Sequence, residues 1–231
     1  MAQKRQELDV QKWENWGRSL DLIEKQLLNL CFVKGMFERL DGKCRQLTEL
    51  GKSDRLWIYL NNTYVVYVAM AIRRLTDKAS KGQNLYRLLE DLRNNHAQVT
   101  AQNLADYHVQ QYQGQGQTVS QFRRRDILKN VKDAFREAFD RTTLTLKDVQ
   151  EDIAILYSNR RAKVVALADK CIAHMDKPTT KIEKTIFSEV HGYVDDVLRI
   201  YNKYSLMLGH NPFTCPDDVL FGGWDDCFVQ M

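Results

Sequence analysis

Residues 182–207, which read IEKTIFSEVHGYVDDVLRIYNKYSLM, decide the fold. Large apolar side chains recur along this segment at steps of three and four residues, a spacing that places them on one face of an α-helix. The members of this stripe are Ile182, Ile186, Val190, Tyr193, Val197, Ile200, Tyr204 and Met207. The segment therefore predicts a long amphipathic helix whose apolar face is covered by other helices.

Equivalent stripes run through most of the chain upstream. They predict long helices over residues 4–49, 53–77, 118–139 and 145–176, and short helices over 84–95 and after Thr100. Residues 64–72 are apolar on nearly every side, which is typical of a helix at the centre of a bundle. The predicted fold is all-α: an up-down bundle of long antiparallel helices with short accessory helices.

Polar patterns predict where some helices begin. Thr118-x-x-Gln121 and Thr145-x-x-Asp148 have the spacing of capping boxes. In the helix behind the first box, Phe122 falls on the predicted inward face. Residues 110–117, QQYQGQGQ, are polar and contain glycine, and they predict a flexible loop.

The length of 231 residues suits one domain, and the three prolines all follow position 177. We therefore predict one helical domain over 1–231, with its core at about 10–209. Residues 210–231 are rich in large apolar side chains, so this tail is predicted to pack on the bundle or on a partner.

Charge and hydropathy place limits on partners. The net charge of +4 is too small to indicate a dedicated nucleic-acid domain. The densest basic run, 123–125, is followed by Asp126 and is interpreted as a solvated helix face. The longest apolar stretch, 64–72, is far too short to cross a membrane, and the polar first residues do not resemble a signal peptide. A cytoplasmic protein without a membrane partner is expected.

The sequence carries no recognisable motif for a metal or a cofactor. The number of cysteines, five, is odd, and no CxxC occurs, so the sequence predicts neither a zinc site nor a disulfide framework. Three of the cysteines fall inside helical patterns and are interpreted as small core or boundary residues. No two histidines lie three or four residues apart, and no nucleotide-binding loop pattern occurs. We expect no metal and no cofactor.

Two helix ends carry polar residues that suit a site. His174 and Asp176 lie at the predicted helix end in LADKCIAHMDKP (167–178), where the helix terminus and the carboxylate both favour a protonated imidazole. His174 therefore suits an acid-base group, although it also falls on the apolar stripe and suits a buried core histidine. In AIRRLTDK (71–78), Arg73 and Asp77 are four residues apart and predict an ion pair on one helix face.

Taken together, the AIRRLTDK segment, the leucine-rich NLYRLLEDL and the later Ala-His-Met-Asp of 173–176 resemble the HEPN superfamily, in its AbiU-type abortive-infection branch. The resemblance covers roughly residues 10–209. It implies a HEPN-like bundle that acts as a homodimer on RNA or on a partner protein. In active members an arginine and a histidine, five to seven positions apart, cut RNA without a metal.

The arginine of that pattern is missing here. His174 matches the family histidine, but positions 167–169 hold leucine, alanine and aspartate. Lys170 is the only nearby cation in the sequence, and an ammonium lacks the planar fork of a guanidinium. Arg161 lies too far along the chain to replace the arginine, so Arg73 from the other motif is the first candidate.

Two interpretations of function remain open at this point. The missing arginine favours a non-catalytic or degenerate binding module of the defence type, with Arg73, Asp77 and Arg161 as binding residues. The alternative is a metal-independent endoribonuclease, in which His174 is the acid-base group, Asp176 orients it and Lys170 contacts phosphate.

Overall fold

The computed structural model describes residues 10–49, 54–80, 82–173 and 184–214. These residues form α-helices joined by short turns. The helices are α1 (Val10–Glu49), α2 (Asp54–Thr76), α3 (Leu85–Asn95), α4 (Ala101–Gly114), α5 (Gln121–Phe139), α6 (Leu146–Leu156), α7 (Asn159–Ala173) and α8 (Lys184–Met207). A 3-10 turn at His96–Gln98 follows α3. The predicted all-α helical bundle is confirmed.

Helices α1, α2, α7 and α8 form the long core of the bundle, and α1 pairs with α2 in antiparallel fashion. Near the end of α1, Asp41 accepts a hydrogen bond of 2.7 Å from the Trp57 indole of early α2. One to two turns away, the rings of Phe37 and Tyr64 stack with centroids 3.9 Å apart. Because later residues of α1 contact earlier residues of α2, the two helices run in opposite directions.

Helix α8 closes this core against α7 and α1. Arg160 at the start of α7 pairs with Asp196, whereas Lys163 one turn later pairs with the earlier Glu189. That order makes α7 and α8 antiparallel as well. The stripe of α8 is buried as predicted, at Val190, Tyr193, Val197, Ile200, Tyr204 and Met207. Helices α3–α6 are inserted between α2 and α7 and pack on α1, α2 and α8.

The prediction of one continuous helix over 145–176 is wrong, because two helices, α6 and α7, occupy this region. The last turn of α6 tightens, with the amide of Ser158 donating to the carbonyl of Ile155. Tyr157 leaves helical geometry at φ −109° and ψ 22°, and its hydroxyl donates to the carbonyl of Thr76. Contacts with distant residues therefore interrupt a helix in a segment that contains neither glycine nor proline.

The region between α4 and α5 also differs from its prediction. Helix α4 continues through Gly114, so only the end of the predicted loop is a turn. Ser120, rather than Thr118, caps α5, because its hydroxyl accepts a hydrogen bond from the amide of Arg123. With the helix starting at Gln121, Phe122 points outward and is 75% exposed, contrary to the predicted inward face.

Other local predictions are confirmed. Thr145 and Asp148 form a complete capping box at the start of α6, and a short helix, α3, lies within the predicted range 84–95, where the side chain of Asn84 caps it. One cysteine differs from its interpretation, because Cys31 is buried in the core but is also disulfide-bonded. Sequence spacing could not predict this bond, because it depends on proximity in space.

Candidate functional site

The end of α2, which carries the AIRRLTDK segment, lies alongside α7. The guanidinium of Arg161, early in α7, donates to the Thr76 hydroxyl at 3.1 Å. Further along α7, Asp169 accepts from Arg73 at 2.6 Å. Earlier residues of α2 thus meet later residues of α7, so the two helices are antiparallel. This arrangement brings Arg73 and Arg161, two of the predicted binding residues, onto one junction between helices.

The Arg73–Asp169 pair lies at a position on α7 where the HEPN pattern places its arginine. Asp169 precedes His174 by five residues, at one of the three positions where the HEPN pattern has its arginine. The guanidinium of Arg73, from α2, therefore lies beside the position on α7 where the HEPN pattern has an arginine and this chain has Asp169. Both side chains are partly open to solvent, with 42% of Arg73 and 59% of Asp169 exposed.

Two cations sit against the ring of Tyr157 at the same junction. The Lys78 ammonium lies 3.9 Å from the ring centroid, and the guanidinium carbon of Arg161 lies 4.9 Å from it. The ring of Tyr86 meets Tyr157 edge-on at 5.6 Å. Cation–π contacts of this kind orient charged groups without neutralising them. Tyr157 therefore holds two positive charges in place beside α2.

Burial raises the pKa of Tyr157 to about 12, although the neighbouring Arg161 opposes this effect. Its hydroxyl consequently keeps its proton near neutral pH. Since that proton is donated to the carbonyl of Thr76, Tyr157 is a positioning group rather than a base.

The turn after α2 explains the role of Asp77. Its carboxylate accepts a hydrogen bond from the amide of Ala79 at 2.8 Å, and its carbonyl accepts one from the Asn84 side chain at 2.9 Å. Arg87 secures the same turn by donating to the carbonyls of Ser80 and Lys78. The predicted pair between Arg73 and Asp77 is therefore wrong: Asp77 shapes the turn, and Arg73 turns to Asp169.

We define the α2–α7 junction as Arg73, Lys78, Tyr157, Arg161 and Asp169. The sequence interpretation missed Lys78, Tyr157 and Asp169. An aspartate where the family pattern has an arginine was a usable signal for Asp169. For the other two there was no signal, because their contact joins segments that are distant in sequence and unrelated by any motif.

The predicted catalytic residues cannot be placed in this geometry. His174 and Asp176 lie outside the described residues, and Lys170 belongs to α7 but its side chain is likewise outside them. Their roles therefore stay predictions. Within the described ranges, no group of three or more His, Cys, Asp or Glu side chains is arranged to hold a metal ion. No helix in that part of the chain is both long and apolar enough to cross a membrane.

The fold and the junction define a helical-bundle protein with a cationic cluster where its second and seventh helices meet. The sequence profile of the AbiU2 family, a HEPN family, matches residues 14–224. Because this match covers most of the chain, the protein belongs to the AbiU2 family, and the HEPN resemblance is confirmed. Comparison with curated proteins and with solved structures gave no significant match.

Proposed function

We propose that this AbiU2-family protein serves abortive infection or a related defence, as a binding module that contacts the RNA backbone through the α2–α7 junction. The observation that carries the proposal is Arg73, held at 2.6 Å from Asp169 on α7. A guanidinium has five N–H donors in a planar fork, so a group that spends one of them on Asp169 keeps others for phosphate. Lys78 and Arg161 add two positive charges that Tyr157 orients.

Asp169 favours binding without catalysis. Its carboxylate occupies a position at which active HEPN enzymes carry an arginine, and it repels the phosphate that an arginine would attract. It also neutralises part of the charge on Arg73. RNA bound here is therefore expected to be held by several moderate contacts, with a strong dependence on salt.

Metal-independent RNA cleavage is the second candidate, and the position of Arg73 favours it. Arg73 would hold the scissile phosphate, with Lys170 as a further point charge, while His174 takes the proton of the 2′-hydroxyl and Asp176 orients the imidazole. The 2′-oxygen would attack phosphorus, the bond to the 5′-oxygen would break, and the proton held by the His174 imidazolium would pass to that leaving oxygen. The products would be a 2′,3′-cyclic phosphate and a 5′-hydroxyl.

A charge swap tests both candidates. The variant Arg73→Asp removes the cation and places two carboxylates together, so RNA affinity is expected to fall about tenfold or more. The double variant Arg73→Asp/Asp169→Arg restores the pair and moves the arginine onto α7, five positions before His174. Binding should recover in the double variant. It is measured by fluorescence anisotropy of a labelled RNA in EDTA, with cleavage followed on gels of the same samples.

The outcomes separate the two candidates. Arg18→Ala is the matched control, since Arg18 is an exposed arginine paired with Glu14 elsewhere on the surface, and it should bind RNA like the parent. RNA affinity unchanged in Arg73→Asp would refute the junction as a binding site. Cleavage by the parent protein that disappears in His174→Ala would establish the enzyme, whereas binding without cleavage supports the module.

We also propose that the protein acts as a homodimer through the outer face of α2. This face exposes Tyr59, Tyr67 and Met70, which are 64%, 39% and 51% exposed and share one side of the helix. A dimer formed here would bring two copies of α2, and with them two junctions, towards each other. Sedimentation velocity should show a dimer that Tyr67→Glu/Met70→Glu converts to a monomer, while Leu146→Glu, an exposed apolar site on α6, leaves it intact. A monomeric parent would contradict the proposal.

A further inference from the structure

The first two turns of α5 carry a charge pattern that does not serve the stability of the helix. Arg123, Arg124 and Arg125 follow directly on the helix start, and the first turn contains no acidic residue. The N-terminal end of a helix carries partial positive charge, so cations there are unfavourable. None of the three forms an ion pair with a carboxylate of the described residues, although Asp126 is next in sequence. All three are exposed.

A large apolar side chain lies among these cations. Phe122 is 75% exposed, whereas Phe135 on the same helix is completely buried. The guanidinium of Arg123 lies 4.4 Å from the ring centroid of Tyr112 at the end of α4, so this arginine is held against an aromatic ring across the turn between the helices. We define the α5 patch as Tyr112, Phe122, Arg123, Arg124 and Arg125. Neither the core nor any helix cap accounts for this combination.

The positive charges and the exposed ring of the α5 patch indicate which kind of ligand it binds. Three guanidinium groups without a carboxylate partner among the described residues attract a polyanion, and the exposed phenyl ring of Phe122 offers a flat surface on which a base can stack. Double-stranded nucleic acid does not expose its base faces, so single strands fit better. A membrane surface fits less well, because apart from Phe122 the exposed residues 121–126 are polar and an interfacial helix needs a broad apolar face.

We propose that the α5 patch is a binding site for single-stranded RNA, with Phe122 stacking on a base. The three arginines project around the first turns of the helix, because successive residues are about 100° apart, and they contact phosphates of a strand that curves around this exposed helix end. The site is separate from the α2–α7 junction, and it rests on the proposed function only for the choice of RNA over another single-stranded polyanion. The exposure of residues 123–125 agrees with their interpretation as a solvated helix face, and the proposal adds a ligand to that face.

Two variants test the two contributions separately by fluorescence anisotropy with a fluorescein-labelled uridine 12-mer. Phe122→Ala should weaken binding about fivefold or more, because one stacked base is lost, and should leave the salt dependence unchanged. Arg124→Gln/Arg125→Gln should weaken binding and reduce the slope of log affinity against log salt by about 1.4, which corresponds to two phosphate contacts on a single strand. The same double variant should keep or raise the melting temperature, since it removes misplaced charges.

Matched controls lie on exposed positions elsewhere. Arg136→Ala removes an arginine from the last turn of α5, where it pairs with Asp133, and Leu146→Ala removes an exposed apolar side chain from α6. Both should bind the 12-mer like the parent. Affinity within twofold of the parent in both patch variants would overturn the proposal. So would Phe122-dependent binding to phosphatidylglycerol vesicles without binding to the 12-mer.

Failure here can be told apart from failure of the proposed function. Arg73→Asp weakens the junction and leaves the α5 patch intact, so a change in the affinity of this variant for the 12-mer reports on the junction, and a change in the patch variants reports on the patch. If the patch variants lose affinity while Arg73→Asp does not, the α5 patch stands and the junction falls. The reverse result supports the junction and refutes the patch.

Discussion

Asp152, on α6, is a buried carboxylate that ties this helix to α8. Only 3% of the residue is exposed, and its oxygen Oδ2 accepts hydrogen bonds of 2.8 Å from both the Lys203 ammonium and the Tyr204 hydroxyl. The ammonium of Lys203 also lies 4.5 Å from the ring centroid of Phe139 on α5. Burial, followed by the charge of Asp152, raises the pKa of Tyr204 above its ordinary value, so this phenol remains a donor.

Removing Asp152 should therefore destabilise the bundle. Asp152→Ala leaves the ammonium of Lys203 and the hydroxyl of Tyr204 without their acceptor, which is expected to cost about 2 to 3 kcal/mol of the free energy of unfolding. Urea denaturation followed by circular dichroism measures this change. The double variant Asp152→Ala/Lys203→Met removes both charges and should be less destabilised than the single one. A loss below about 0.5 kcal/mol in the single variant would contradict the role given to this network.

At the scale of the elements, periodicity predicted α8 well because one buried face fixes the spacing of its side chains. The same reasoning failed between α6 and α7. Val149, Ile153 and Leu156 continue in helical register towards Val164, so the stripe shows no interruption. The break depends on Tyr157, whose hydroxyl and ring contact residues of α2, α3 and the turn between them. Contacts between distant segments do not appear in a periodicity.

The candidate site was partly predictable for the same reason. A motif pointed to Arg73, because the AIRRLTDK segment is a local pattern. Its partner Asp169 belongs to another helix, 96 positions away, and only the packing of α2 against α7 brings the two together. The local spacing of Arg73 and Asp77 suggested a different pair. That pair does not form, because the carboxylate of Asp77 accepts a hydrogen bond from the amide of Ala79 in the turn after α2.

At the scale of the whole molecule, the helix order explains how one junction can form. Helices α3–α6 separate α2 from α7 along the chain, yet the antiparallel core of α1, α2, α7 and α8 places the end of α2 beside α7. The inserted helices meanwhile display the α5 patch on a different part of the bundle. The architecture thus offers two cationic surfaces built on independent elements, which is why variants of one can serve as controls for the other.

The same core contains a partly buried histidine whose titration is expected to make the fold less stable in acid. His191 on α8 packs edge-on against the rings of Tyr64 and Phe37, and its Nε2 atom has no hydrogen-bond partner among the described residues. Burial lowers the pKa of His191 below its ordinary value, although Glu38, 3.5 Å from Nδ1, opposes this effect. A second histidine, His108, belongs to α4 and lies near the end of α8. Burial, and secondly the proximity of His210, lowers the pKa of His108 below its ordinary value.

A lowered histidine pKa fixes the direction of the pH dependence. As the pH falls through the ordinary value of 6.5, the unfolded chain takes up these protons before the folded one does, so the free energy of unfolding decreases. The contribution of these two histidines to the free energy of unfolding is fully present above about pH 7.5. It is lost progressively as the pH falls towards the lower pKa values of the folded state. We expect the melting temperature to fall between pH 7.5 and pH 5.5. In this range the carboxylates are still ionised, so their titration contributes little.

The double variant His108→Gln/His191→Gln isolates this contribution. Glutamine does not titrate, so the variant should show a shallower fall in melting temperature over the same interval, whatever its stability at pH 7.5. Comparing the two slopes rather than the two absolute values removes the packing cost of the substitutions. Parallel slopes in parent and variant would show that the acid sensitivity arises elsewhere. A shallower slope in His191→Gln than in His108→Gln would assign most of it to the aromatic core around Tyr64 and Phe37.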